Sequence, residues 1–195
     1  MKKIKIFADN LLAHESLHFL SGIFMFFVIF KLYGRVEYGV LAFLVSLLID
    51  LDHYLEGFIY NRFKIKWIFT TYPHIYWKKS GKVTLLFHSW ELLPIVLILG
   101  RIYGKWPMSM AIVLPAVLHY LIDNTIYSGF RGMHFLQYFF LFRLYHKFDT
   151  KILCPKLSNP INHKWRKYVY LSMEVIYTAA NMNFLVQIII YLSKN

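Results

Sequence analysis

Five stretches of this chain, residues 13–33, 36–54, 83–100, 106–122 and 168–192, are apolar over nearly the length a helix needs to cross a bilayer, about 20 residues. They predict an all-α fold, a polytopic transmembrane helical bundle of about five spans forming one domain over residues 1–195. Tight connections at Gly34-Arg35 and at residues 101–105 pair the first four spans into two antiparallel hairpins. Composition agrees: 58% of residues are hydrophobic and 16% charged, against about 25% charged in a soluble domain. That leaves too little polar side chain to cover a globule, and excludes disorder or a polar solenoid. The single cysteine, Cys154, excludes a disulfide scaffold and a thiolate metal site.

The N-terminal Met-Lys-Lys-Ile-Lys before an apolar run imitates a signal peptide. Asp9, Asn10 and His14 interrupt that run and no small-x-small cleavage site follows, so it reads as an uncleaved span. With the N-terminus in the cytoplasm, 17 of the 22 Lys and Arg fall on the inside and 5 outside. This positive-inside bias predicts a protein integral to the cytoplasmic (inner) membrane, its C-terminus extracytoplasmic. It also accounts for the net charge of +12 without a nucleic-acid partner. Aromatic residues interleave with bases in 61–80 and 134–148, which suits interfacial helices whose lysines meet anionic lipid headgroups. The second segment reads equally as a short re-entrant helix.

Of ten acidic residues, Glu15, Asp50, Asp52, Glu91 and Asp123 lie in or beside the spans, each within four positions of a histidine. An ionisable group inside a span costs about 2.5–3.5 kcal/mol even on lenient scales, and persists where it pairs, lines water or binds an ion. Four clusters result: His14-Glu15-Ser16-Leu17-His18, Asp50-Leu51-Asp52-His53, His88-Ser89-Trp90-Glu91 and His119 with Asp123. Helical spacing puts His14/His18, Asp50/His53, His88/Glu91 and His119/Asp123 each on one helix face. In the predicted topology all four lie near the cytoplasmic ends of their spans. Helical bundles build metal centres from inward-facing His and carboxylates in this way. A lone histidine such as His74, His146 or His163 reads instead as a hydrogen-bonded packing residue. Glu174, Asn181 and Asn183 in the last span read as supporting partners or interhelical contacts.

The ordered set resembles the membrane-bound metal-dependent hydrolases, also described as LexA-binding inner-membrane-associated hydrolases. The matching residues are His18 with Gly22, Asp50-Leu51-Asp52-His53, His88-Ser89, and His119 with Asp123, in order over residues 14 to 130. Ile49 stands where that family has proline, and Phe87 where it has threonine. That family is thought to be distantly similar to zinc-dependent phospholipase C and S1/P1-type nucleases. The resemblance implies an all-helical enzyme whose His and Asp hold zinc.

Nitrogen and oxygen donors without thiolate suit Zn2+, and less selectively Mn2+ or Fe2+. His14, His18, Asp50, Asp52, His53, His88, Glu91, His119 and Asp123 are nine candidate ligands, enough for one or two ions. Asp52 or Glu91 is the candidate base for an activated water. A site beneath basic loops favours a membrane lipid or lipid-linked phosphoester as substrate, a phospholipase-like activity. His14-Glu15-x-x-His18 is also a literal H-E-x-x-H, which would make the chain an intramembrane zinc metalloprotease with Glu15 activating water. The third reading is non-enzymatic, an ion that only stiffens the bundle. A carrier is disfavoured because the outer halves of the spans, such as residues 23–30 and 94–99, are almost wholly apolar.

Overall fold

The computed structural model describes residues 2–60, 77, 80–131 and 134–154, with 179, 183 and 187 singly. Its helices are α1 (Lys2–Tyr33), α2 (Val36–Leu48), α3 (Leu51–Tyr60), α4 (Leu92–Ile102), α5 (Trp106–Arg131), α6 (Phe140–Tyr145) and α7 (Thr150–Leu153), with a 3-10 turn at Phe135–Tyr138. No strand occurs among the described residues, only an isolated bridge between Lys82 and Asp149. The expected interfacial segment 61–80, apart from Trp77 and Ser80, and the expected span 168–192, apart from its three single positions, lie outside the described residues.

Three stretches are long and apolar enough to cross a membrane: Ser16–Tyr33, Val36–Ile59 and Trp106–Asn124. α1 ends where Gly34 takes a left-handed φ of 66° and donates its N–H to Phe30 O at 2.7 Å, a turn glycine makes without steric cost. α1 and α2 then pack together, and α5 packs on α1, α2 and α4. The core between them holds Met25, Ile29, Ala42, Ala111, Leu118 and Ile122. Outward-facing Phe27, Val40, Leu44, Ile98 and Ile102 are exposed, the surface expected where lipid is the solvent.

The third expected span is shorter than the sequence suggests. Residues 83–91 are irregular, and α4 begins at Leu92 and runs 11 residues, about 16 Å at 1.5 Å per residue. The apolar run Val83–Phe87 looks like helix by hydropathy alone. Instead Val83 and Leu85 are buried with Trp77, Tyr138, Leu153 and Cys154 in a second core, and Leu85 adopts a left-handed φ of 38°. Residues 81–91 and 134–154 thus form a cap on one end of the bundle. It is tied by Val83 N–H to Phe148 O (3.0 Å), Trp90 N–H to Tyr138 O (2.9 Å) and Thr150 N–H to Gly81 O (3.1 Å).

Where α4 meets α5 the backbones approach closely. A Cβ on Gly100 would overlap Ser109 Oγ and lie 2.5 Å from Ser109 Cβ, a contact that rotating the hydroxyl cannot relieve. Small residues at membrane helix interfaces serve this close approach. Gly100→Val should therefore destabilise the bundle by about 1–3 kcal/mol, the usual cost of overpacking. A thermal melt in detergent checks this, and an unchanged midpoint would refute it.

Candidate metal centre

The breaks between elements place the polar residues. α2 ends at Leu48, and Asp50 sits in the turn before α3. His18 and Ser21 lie on α1, Asp52 and His53 open α3, His88 comes from the cap, and His119 and Asp123 lie one turn apart on α5. His18, His88, His119 and Asp123 are fully buried, and Asp50, Asp52 and His53 nearly so.

Four of these side chains converge on one point. His88 Nε2 and His119 Nε2 are 3.2 Å apart. Each is 3.4 Å from Asp50 Oδ1 and 3.5 Å from Asp123 Oδ2. Zinc bonds of about 2.0–2.1 Å to nitrogen and oxygen set tetrahedral donor–donor edges near 3.3–3.4 Å. The five measured edges fall around that value, and all four donor atoms lie within 4.8 Å of one another. The donor set therefore fits a small divalent ion.

The outer partners fix which nitrogen faces the centre. His119 Nδ1 is 3.2 Å from Ser46 O; a carbonyl only accepts, so Nδ1 carries the proton and Nε2 presents its lone pair. His88 Nδ1 is 3.0 Å from both oxygens of Asp52, with the same consequence. Carboxylate and carbonyl partners of this kind orient metal-binding imidazoles. Asp52 Oδ2 also accepts from Phe87 N–H (2.8 Å) and His88 N–H (3.2 Å), pinning the cap to α3. His18 Nε2 is 3.2 Å from Asp123 Oδ1, and its ring stacks on His119 at 4.0 Å between centroids. His53 Nε2 is 3.7 Å from Asp50 Oδ1. Gly22, one turn after His18, admits Phe43 and Ser46, which a Cβ would meet at 3.0 and 3.2 Å. α1 can thereby approach α2 at the level of the cluster.

The structure thus brings together His18, Asp50, Asp52, His53, His88, His119 and Asp123 from residues over a hundred positions apart. Glu91 goes elsewhere. With 83–91 irregular, His88 and Glu91 do not share a helix face, and Glu91 accepts from Phe140 N–H (2.9 Å) and Leu141 N–H (3.0 Å) at the start of α6. Although partial burial alone would raise its pKa, those N–H groups hold the Glu91 carboxyl below the usual range. Asp52 is likewise occupied by His88 and two backbone N–H groups, an orienting position rather than that of a base. His14 and Glu15 lie within α1, and their side chains are outside the described set.

Several supporting residues carry no sequence signal. Tyr138, buried in the cap, donates its hydroxyl to Asp123 Oδ2 at 3.0 Å. Burial, then the Asp123 carboxylate, holds its phenol well above the usual range, so it remains a donor. Arg143 is read from sequence as one of the basic residues at the headgroups, yet it is fully buried. Its guanidinium donates to the carbonyls of Leu85, His88 and Gln137 and to Ser89 Oγ. Burial pushes the Cys154 thiol up to about 12, which keeps it inert.

Asp52→Asn isolates the orienting contribution. The amide presents donors and acceptors where His88 Nδ1–H requires acceptors alone, so Zn2+ affinity should fall about 10–100-fold. Competition titration against a chromophoric chelator measures this; unchanged affinity would show that Asp52 does not set the His88 tautomer. No protein-family model, curated protein or solved structure matches this chain.

Proposed function

We propose that this chain is an integral-membrane, metal-dependent hydrolase acting on a phosphoester, with a membrane lipid or lipid-linked molecule as its substrate. The observation that carries the reading is the near-tetrahedral His88, His119, Asp50 and Asp123 donor set, buried at one end of an apolar bundle. A divalent ion bound there, Zn2+ above the less selective Mn2+ and Fe2+, supplies a Lewis acid for a phosphoryl oxygen and brings the pKa of water toward neutrality. Asp50, Asp123 and the two imidazoles would hold it, while Ser46 O and Asp52 keep both imidazoles aimed. His53, whose Nε2 lies beside Asp50 Oδ1, is the side chain placed to accept a proton from water at the cluster's margin. The ordered His/Asp motifs resembling the membrane-bound hydrolases agree with this assignment.

The surroundings support a lipid substrate. Exposed Leu141, Leu144 and Tyr145 on α6 adjoin exposed Lys147 and Lys151, with exposed Lys82 also on the cap. Such a surface suits the level where acyl chains meet anionic headgroups. The positive-inside count supports a location of that end, and of the site, at the cytoplasmic leaflet.

One observation favours a second reading. Four protein donors complete a tetrahedron, as structural zinc sites do, whereas catalytic sites keep a position open. Elemental analysis of detergent-purified protein, followed by assays on phospholipid and polyprenyl-phosphate substrates, separates the two. Metal-dependent phosphate or headgroup release supports the hydrolase. Stoichiometric metal with no turnover supports the structural ion, and no bound transition metal refutes both. If the activity is instead cleavage of peptides, Glu15→Gln should abolish it with zinc retained, as an H-E-x-x-H protease requires.

A further inference from the structure

We infer that the seam between α3 and residues 84–88 seats the acyl chain of an anionic phospholipid, which reaches the centre sideways from the bilayer. The inference rests on the proposed lipid hydrolysis and names the surface that would select the lipid. α3 is amphipathic in the inverted sense. Asp52 and His53 are buried and Glu56 bonds to the cap, whereas Leu51, Leu55 and Ile59 are exposed. Ionisable residues inside and apolar residues outside mark a helix solvated by lipid. The stretch Val36–Ile59, which includes α3, is one of the three apolar enough to cross a membrane.

The cap loop lies along this helix in antiparallel order. Glu56 Oε1 accepts from Thr84 N–H (2.7 Å) and from the Thr84 hydroxyl, and Asp52 Oδ2, one turn earlier on α3, accepts from Phe87 N–H (2.8 Å). Glu56 Oε2 accepts from Trp77 Nε1–H at 2.9 Å. Irregular backbone is tolerated at membrane depth where protein groups satisfy it in this way. With the backbone of Thr84 and Phe87 turned to α3, the side chains of Leu86 and Phe87 are exposed, as Leu51 and Leu55 are. The seam thus shows an apolar edge on each side.

Two observations tie this surface to the metal centre. Of the seven clustered residues, Asp50, Asp52 and His53 alone keep any exposure, at 3%, 5% and 7%. All three lie in the turn before α3 or in its first turn, so the cluster is least covered along the seam. The second observation is depth. Asp50 comes 14 residues after Val36, about 21 Å at 1.5 Å per residue, which is less than the hydrocarbon thickness of about 30 Å. A divalent ion at that depth attracts an anionic phosphate, a complementary pair of charges. The chain attached to that phosphate would leave water for Leu51 and Leu55 on one side and Leu86 and Phe87 on the other, a transfer that favours binding. A soluble phosphoester lacks that contribution.

The test is photolabelling of the full chain in phosphatidylcholine nanodiscs containing phosphatidic acid with a diazirine in its acyl chain, the adducts being mapped by mass spectrometry. Labelling at Leu51, Leu55, Leu86 and Phe87 is expected. Unlabelled phosphatidic acid should compete it away, whereas extra phosphatidylcholine should not, and adducts at outward Phe27 and Ile98 should resist both. Labelling that no lipid competes overturns the seat. So does its absence at the four residues, the result if residues 168–192 or a second copy of the chain covers them. The double variant Leu55→Ser, Leu86→Ser should bind phosphatidic acid about tenfold more weakly, equivalent to 1.4 kcal/mol, and Ile98→Ser should match the wild type. Labelling needs no turnover, so the two readings fail separately. Competed labelling without phosphate release keeps the seat and rejects the hydrolysis. Release from soluble glycerol phosphate as fast as from phosphatidic acid keeps the hydrolase and rejects the seat.

Discussion

Replacing His119 with alanine is expected to empty the four-donor position, with Zn2+ affinity there falling more than about 100-fold. Altering an orienting partner alone costs about 10–100-fold, and His119 supplies a donor itself. A factor of 100 corresponds to about 2.8 kcal/mol. The same change should uncouple stability from metal. A ligand that binds only the folded state at 100 times its Kd stabilises by about 2.7 kcal/mol, so chelation should lower the wild-type melting midpoint and scarcely move that of the variant. Imidazoles coordinate only when deprotonated, so wild-type Zn2+ affinity should also decline as the solution is acidified. Isothermal titration and melts with and without chelator check these effects. Wild-type affinity in His119→Ala would remove the basis of the centre.

Arg143→Met is expected to cost as much stability, by a route that touches no donor atom. The methionine fills much of the volume but leaves the carbonyls of Leu85, His88 and Gln137 without donors. Each buried acceptor so stranded costs about 1–3 kcal/mol, and together they approach the lower end of a typical folding stability of about 5–15 kcal/mol. The cap should loosen first, because Leu85 holds its left-handed backbone against that guanidinium. The helical signal should survive, since the cores of α1, α2 and α5 are elsewhere. Metal should nevertheless be lost, because His88 rides on the released segment. Arg143→Lys should fall between, as one ammonium cannot serve four acceptors spread around a planar fork. Hydrogen exchange at residues 81–91, measured with bound zinc, reads this out. Full zinc retention in Arg143→Met would show that the cap does not depend on its arginine.

Membrane character and most of the donor residues were legible in the chain itself. Apolar runs of span length declare a helical bundle because lipid tolerates little else. Acids placed in those runs are informative because their burial is costly. His18, Asp50, His119 and Asp123 stand out on that ground alone. Reading residues 83–91 as the start of a helix failed because hydropathy does not distinguish a buried irregular loop from a span. Glu91 was drawn in by a helical spacing that the loop does not have. Arg143 and Tyr138 were invisible because a basic, aromatic segment looks the same whether it lies on a membrane or folds under a cap.

The order of elements along the chain determined that acids and imidazoles gather toward one end of the bundle, since span direction alternates and hydropathy period sets which face turns inward. Only the tertiary structure decided which atoms meet. Asp50 lies in a break between helices, His88 arrives on a loop held by Arg143 and Asp52, and Ser46 lends a backbone carbonyl. Edges near 3.4 Å are set by the packing of segments distant in sequence, and no local pattern of residues encodes a distance of that kind.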